Sequence, residues 1–365
     1  MRTRPAGPPM SAPAFRRLLA YCRPGFEGEC AQELAALDAR QSGAGYARAA
    51  RGSGHVEFVS DDAPALAGSW RDLVFARQLL GVLGEARDLP PKDRLSVLLP
   101  MIEGEDPADG PCRWCDAWVE APDSDAAREL APLCRGLEAA LVAALKQRKL
   151  IDRASRWRLH LCMTATDAAY VAVAERTLSA PWPGGIPRLK FPRGAPSRST
   201  LKLEEALLVL LDEGERERWL EPGMRAVDLG ASPGGWTWQL VARSLHVTAV
   251  DNGPMDAALL ASGLVDHLRA DGFRYRPTRP VDWLVCDMVE QPRRVAELMA
   301  HWLAEGLCRH AIFNLKLPMK KRHDEVRLCL DLVAGALAAS GRRVEVRAKQ
   351  LYHDREEITV YARVA

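Results

Sequence analysis

The chain has 365 residues, 48% of them apolar, and its 50 Lys+Arg against 48 Asp+Glu leave a net charge of +2 at pH 7. That length exceeds one average domain, and that composition excludes extensive disorder. No apolar run approaches the roughly 20 residues a membrane span needs, and a near-neutral total leaves any polyanionic partner to be argued from local charge alone.

Residues 1–14, MRTRPAGPPMSAPA, carry basic residues and prolines without the apolar stretch of a secretory signal, and read as a flexible leader of a cytoplasmic protein. From Phe15 to Val173 helical and strand patterns mix: FEGECAQELAALDA and LEAALVAALKQRKL have helical spacing, and GHVEFV, RLHLCM and AAYVAVA read as strands. This is an α+β pattern with no glycine-rich phosphate loop. Nine cysteines, an odd number without framework spacing, point to reduced thiols. Cys112 and Cys115 form a lone CxxC with no partner pair at zinc spacing, so two ordinary thiols in a loop are the simpler reading and no metal is expected.

Residues 179–198, SAPWPGGIPRLKFPRGAPSR, hold five prolines and three glycines and break the pattern. Arg188, Lys190, Arg193 and Arg198 stand there without an acid, interleaved with Trp182 and Phe191. A solvated linker with packed aromatics and a segment that also touches phosphates both fit.

Beyond the linker, Leu201 to Leu220 reads as one helix with leucines on a face. The runs MRAVDLGAS, LHVTAVDNG, HLRADGF, DWLVCDM and HAIFNLKLP then read as short strands separated by helical stretches. Such alternation predicts an α/β fold with a mostly parallel sheet and ligands beyond the carboxyl ends of its strands. The last stretch, RRVEVRAKQLYHDREEITVYARV, alternates like a hairpin and predicts an antiparallel edge.

DLGASPGGW, Asp228 to Trp236, opens from an apolar strand into a glycine-rich turn and then a helix, the arrangement that lets backbone N–H groups approach a nucleoside cofactor. Its spacing is not the GxGxxG of nicotinamide enzymes. Asp251 ends the second strand, where an acid accepts from a ribose diol; Asp271 ends the third and is placed for an adenine amine; Asp287 follows the fourth. Each acid alone could equally be a helix cap, and the loop glycines could serve only strand–helix packing.

Together with SRSTLKLEE, LVCDM, FNLKLPMKKR and REEITVYARV, this loop resembles the FtsJ-type ribose 2′-O-methyltransferases. LAYCRPGFEGECAQEL and YHDREEITVY extend the likeness toward bacterial large-subunit ribosomal RNA methyltransferases over nearly the whole chain. The resemblance implies a Rossmann-like class I methyltransferase domain at 199–365, preceded by a ferredoxin-like element at 15–98 and a THUMP-like RNA-binding domain at 99–178, with 179–198 as the linker. It implies S-adenosyl-L-methionine as cofactor, held by Ser199, Ser232, Pro233, Gly234, Gly235, Asp251, Asp271 and Asp287. Ser232 departs from the alanine or cysteine common in relatives but remains small, and Ser199 could be only a helix cap. The order lysine, aspartate, lysine, glutamate implies a catalytic tetrad of Lys202, Asp287, Lys316 and Glu357, with Glu356 as the alternative to Glu357. The implied substrate is a single cytidine of 23S rRNA, met before the subunit is fully assembled, and a monomer is expected.

A neutral 2′-hydroxyl is a poor nucleophile, and Lys316, at the end of strand FNLK, is the expected base. For that role its pKa is expected to fall from about 10.4 to about 7 or 8 through burial and a neighbouring cation, Lys202. Lys320, Lys321 and Arg322 suggest a basic ridge, to which Arg342, Arg343, Arg347 and Lys349 are expected to add. Rival readings are a non-catalytic RNA-binding assembly factor on the same fold and a methyltransferase acting on a protein or small molecule.

Overall fold

The computed structural model describes residues 15–68, 70–103, 105–106, 110–111 and 113–364. The expected leader and Cys112 lie outside the described residues. Two compact units emerge, one reaching to Trp70 and resuming from Phe75 to Ile186, the other made of Arg71–Val74 and the chain from Pro187 onward.

The first unit runs β1 (Arg17–Tyr21), α1 (Glu27–Arg40), β2 (Tyr46–Ala49), β3 (His55–Val59), α2 (Ala63–Leu66), β4 (Gln78–Ala86), α3 (Leu95–Ile102), the short pair β5 (Glu105–Asp106) and β6 (Gly110–Pro111), β7 (Ala117–Glu120), α4 (Asp125–Arg128), α5 (Ala131–Gln147), β8 (Trp157–Ala165) and β9 (Ala168–Glu175). Its main sheet has the order β2-β3-β1-β4-β9-β8-β7, so strands from 15–98 and from 99–178 share one sheet. Period-two alternation explains the core on one face: Leu19 and Tyr21 of β1 stand with Leu80 and Val82 of β4 and with Cys162, Tyr170, Ala172 and Ala174. Leu137, Leu141 and Leu145, four residues apart along α5, are buried in the same unit. The proline-rich segment begins packed rather than solvated. Ala180 is buried, exchanging hydrogen bonds with Gln78, and Trp182 meets Trp70 edge-on.

The second unit runs α6 (Thr200–Leu210), α7 (Glu213–Trp219), β10 (Arg225–Leu229), α8 (Gly235–Val241), β11 (His246–Val250), α9 (Ala257–Ala261), β12 (Val265–Leu268), β13 (Val281–Cys286), α10 (Pro292–Ala304), β14 (Cys308–Lys316), α11 (Arg322–Ala339), β15 (Val344–Lys349) and β16 (Glu357–Val364). The sheet order is β12-β11-β10-β13-β14-β16-β15. The first five strands are parallel, while β16 lies antiparallel between β14 and β15. Strand order reverses between β10 and β13, which is where an open α/β sheet leaves a crevice beyond its carboxyl ends.

Three expectations need correction. The helix expected over 201–220 is two helices. Asp212 accepts from the Glu215 amide while the Glu215 side chain accepts from the Asp212 amide, and this capping box starts α7 afresh. Asp271 does not end a strand: β12 stops at Leu268, and Asp271 lies in the turn beyond. The basic ridge is not continuous. Lys349 is buried and donates to the Leu73 carbonyl, and Arg347 is locked onto Glu215 and Glu345. Arg342 lines a depression with Pro280, Asp282 and Arg309 at the amino ends of β13 and β14, which a nine-residue strand separates from Lys316 by roughly 25 Å. Lys320 and Lys321 remain exposed beside the carboxyl ends.

Candidate active site

β10 is buried along most of its length and ends at Leu229, after which Gly230 turns the chain with φ +78°. A Cβ at Gly230 would stand 2.6 Å from Met288 Cγ, so this turn needs glycine for space as well as for conformation. With Asp251, Asp271, Gly272, Asp287 and Met288 it walls a cleft of about 440 Å³ at the strand-order reversal.

The carboxylate of Asp251 ties two loops of this cleft together. Its Oδ2 accepts from the Ser232 amide at 3.0 Å and its Oδ1 from the Gly253 amide at 2.7 Å, while the Ser232 hydroxyl donates to the Pro254 carbonyl at 2.8 Å. Asp271 accepts from the Phe273 amide at 2.9 Å, closing its own turn. Ser232, Asp251, Asp271 and Asp287 thus line the cleft. Ser199, Pro233, Gly234 and Gly235 stand behind that lining. A Cβ on Gly235 would meet Ser199 Oγ at 2.1 Å, and one on Gly234 would meet Leu259 and Met255 at 2.4 and 2.7 Å. These two glycines let the start of α6 and the α9 region pack against the turn. Ser199 begins α6 without a side-chain cap, its hydroxyl bonding Ser197 at 3.1 Å.

At the mouth of the cleft Lys202, Asp287, Lys316 and Glu357 converge from four elements. Lys316 and Glu357 are direct partners across the β14–β16 ladder, so their side chains share one face and meet. Glu356 points away, exposed, and pairs with Arg322 at 3.0 Å. Asp287 follows β13, the next strand, and sits 2.6 Å from the Lys316 ammonium. Lys202, in the first turn of α6, reaches Asp287 at 3.1 Å and Glu357 at 2.5 Å. A cation near a helix amino end is mildly disfavoured; two carboxylates offset that here. Each lysine touches both acids, and the four formal charges cancel.

Burial would raise the Asp287 pKa, but Lys316 and Lys202, with a hydrogen bond from Asn314, outweigh it and hold the carboxylate below its ordinary range. Burial would lower Lys316, and Asp287 and Glu357 again outweigh it, raising Lys316 above the ordinary lysine value. This corrects the expected fall to about 7 or 8: the two carboxylates dominate over desolvation. Further in, Asp228 on β10 accepts from the Thr237 hydroxyl at 2.6 Å, and burial together with Asp287 and Asp251 pushes its carboxyl up to about 7.

Comparison with known proteins assigns these features to a lineage. Residues 195–357 match the model of the FtsJ-like methyltransferases, a span that contains all four converging residues. Residues 15–80 match the RlmM ferredoxin-like domain, and residues 93–175 match the N-terminal region of ribosomal RNA large subunit methyltransferase M. A protein of that name from Xanthomonas campestris pv. campestris (strain B100) is 57% identical over 350 residues, covering 94% of this chain and 98% of the relative. Its counterpart from Xanthomonas oryzae pv. oryzae (strain PXO99A) is 56% identical over the same coverage. The chain belongs to the ribosomal RNA large subunit methyltransferase M family. As a member of that family it is a methyltransferase, and its second unit carries the FtsJ-like fold.

Sequence reasoning passed over the layer behind the four charges. Asn314 donates to Asp287 at 2.9 Å, and the Thr359 hydroxyl bonds Asn314 at 2.7 Å. Glu205, buried on α6, accepts from the Tyr352 and His353 amides and from the His353 ring, and so ties the loop before Glu357 to the helix of Lys202. The signal for Asn314 and Thr359 was the strand period itself: two residues before Lys316 and two after Glu357 lie on the same face.

Proposed function

We propose that the chain transfers the methyl group of S-adenosylmethionine to the ribose 2′-oxygen of a single cytidine in 23S rRNA. In this reading it is a cytoplasmic monomer acting before the large subunit is fully assembled, and residues 15–98, ferredoxin-like, and 99–178, THUMP-like, bind the RNA. The observation that carries it is the convergence of two lysines and two carboxylates beside a glycine-walled cleft in a member of this methyltransferase family.

The residues present fit such a cofactor. The cleft has a suitable volume, a Cβ at Gly230 would stand 2.6 Å from Met288 Cγ, and acids stand just past two strand ends, Asp251 and Asp287, and in the turn beyond a third, Asp271. Each Asp251 oxygen has accepted one amide and keeps a lone pair for a ribose diol. Asp271, half exposed, has its other oxygen 3.6 Å from the Arg274 guanidinium and keeps lone pairs for an adenine amine, and Asp287 would face the methionine portion. S-adenosylmethionine supplies a sulfonium-activated methyl group to an attacking oxygen.

The remaining work falls to the chain. Lys316, directed by Asp287 and Glu357, accepts the proton of the 2′-hydroxyl. Lys202 keeps the two carboxylates in place as charge shifts, and the neutral total limits the cost of enclosing the site. Because Lys316 is held protonated, turnover draws on the small neutral fraction and climbs with pH. The test is a nucleoside mass map after incubating naked 23S rRNA with the protein and labelled S-adenosylmethionine. One 2′-O-methylcytidine is expected; no transfer, or a methyl group on a base or on protein, overturns the reading.

A further inference from the structure

Behind Asp287 runs a line of buried hydrogen bonds with a definite direction. Asn314, Thr359 and Asp354 are 0%, 0% and 1% exposed, so every polar atom there needs a protein partner. Asn314 and Thr359 are direct cross-strand partners, one step inward from the Lys316–Glu357 pair on the same face. The Asn314 amide donates to Asp287 Oδ1 at 2.9 Å, the oxygen that also receives Lys316 at 2.6 Å. Its own oxygen therefore faces Thr359 Oγ1 at 2.7 Å and takes that hydroxyl's single proton. Thr359 Oγ1 also lies 3.0 and 3.2 Å from the two Asp354 oxygens, with no proton left to give them. Asp354 Oδ2 is already an acceptor, for the Leu351 amide at 3.1 Å. The Thr359–Asp354 contact is a hydrogen bond only if Asp354 is the donor, a neutral carboxylic acid. Its surroundings agree: full burial, then Glu357 and Glu205, raise its pKa well above the carboxylate range.

We propose that Asp354, Thr359 and Asn314 form a positioning relay, Asp354 O–H to Thr359, Thr359 O–H to Asn314, Asn314 N–H to Asp287, that fixes the Asp287 carboxylate and draws charge from the oxygen gripping Lys316. By competing for that oxygen the relay weakens the hold on the Lys316 proton and favours the neutral amine. The groups facing Lys316 are Asp287 beyond β13, Glu357 on β16 and Lys202 on α6. Asp228 on β10 acts on Asp287 from behind, and Glu205 on α6 faces Asp354. No step of the relay transfers a proton to substrate.

The role in turnover rests on the methyl-transfer reading above, and the test separates the two. Wild-type protein that leaves naked 23S rRNA unmethylated defeats that reading, whereas the relay is judged on Lys316 itself, by the ¹³Cε shift of labelled lysine titrated in the ligand-free enzyme. Thr359→Val and Asp354→Leu are expected to move the Lys316 titration upward by about half a pH unit or more. They should also lower kcat at pH 7 by about threefold or more, with less than twofold change in KM for RNA and with activity recovering as pH rises. Thr359→Ser, which keeps the hydroxyl, and Asp354→Asn, which donates to Thr359 and accepts from Leu351 without charge, should restore the wild-type titration and profile. Thermal melts confirm that each variant is folded. An Asp354→Asn as impaired as Asp354→Leu, or a Lys316 titration unmoved in folded Thr359→Val, overturns the proposal.

Discussion

Glu120 in the first unit and Asp287 in the second are both carboxylates held below their ordinary range against the pull of burial, by different means. Glu120 ends β7 and is met by the Tyr21 hydroxyl at 3.0 Å, the His160 ring at 2.8 Å and the Gly184 amide at 2.6 Å, all fixed by strands or a tight turn. Asp287 lies beyond its strand, partly open to a cleft, and is met by two ammonium groups on long flexible stems. A closed ring of short, rigid partners makes an acid part of the core. An acid balanced by movable cations at the carboxyl edge of a parallel sheet leaves a charge that can be redistributed when something enters.

The largest effect should separate the two kinds of acid at once. Lys316→Ala is expected to lower kcat by about 10²- to 10⁴-fold, the usual worth of a general base, with S-adenosylmethionine affinity measured by calorimetry within about threefold of wild type. The wild-type rate should rise close to tenfold per pH unit from neutrality upward, since a raised lysine pKa keeps the base protonated below it. A rate flat between pH 6 and 9 would remove Lys316 from that role.

Glu120→Ala should do the opposite. With three donors left unpaired around a cavity, the first unit should lose about 3 kcal/mol in urea unfolding, while cofactor affinity stays unchanged. Equal loss of cofactor affinity would erase the contrast drawn above.

A smaller effect concerns Asp228, a fully buried acid beside Asp287 that has neither a ring of donors nor a cation among the described residues. Its pKa is pushed from 3.8 to about 7 in the folded chain, so between those values the folded state binds a proton that the unfolded state has released. Stability therefore falls as pH rises across that window and levels off above it. Asp228→Asn should gain stability relative to wild type at pH 8 but not at pH 4, read from urea midpoints. The same difference at both pH values would refute the account.

Much of this was legible in the sequence because it lay in local chemistry. The glycine turn after Asp228, the acids Asp251 and Asp287 just past their strands and the spaced lysines are each marked by residue type, and the final hairpin by alternation. The break at Asp212 was also written there, as an Asp with a Glu three residues on, but a continuing row of leucines obscured it. The fates of Arg347 and Lys349 were hidden for a different reason: whether a basic side chain faces solvent or a buried carbonyl depends on which strand becomes its neighbour. The same holds for Asp354, whose carboxyl pKa is raised first by burial and then by two glutamates that the fold brings to it. The direction of the Lys316 shift depends on a contest between desolvation and two carboxylates that only geometry decides.

The threading of β16 between β14 and β15 has a consequence in time. The strand that carries Glu357 and Thr359 is synthesised last of the seven yet must slot between two strands already made. A nascent chain lacking it would have β14 and β15 with no ladder between them, and Lys316 without its cross-strand acid. The Lys316–Glu357 pair can therefore form only after residues 357–364 have been made and have entered the sheet.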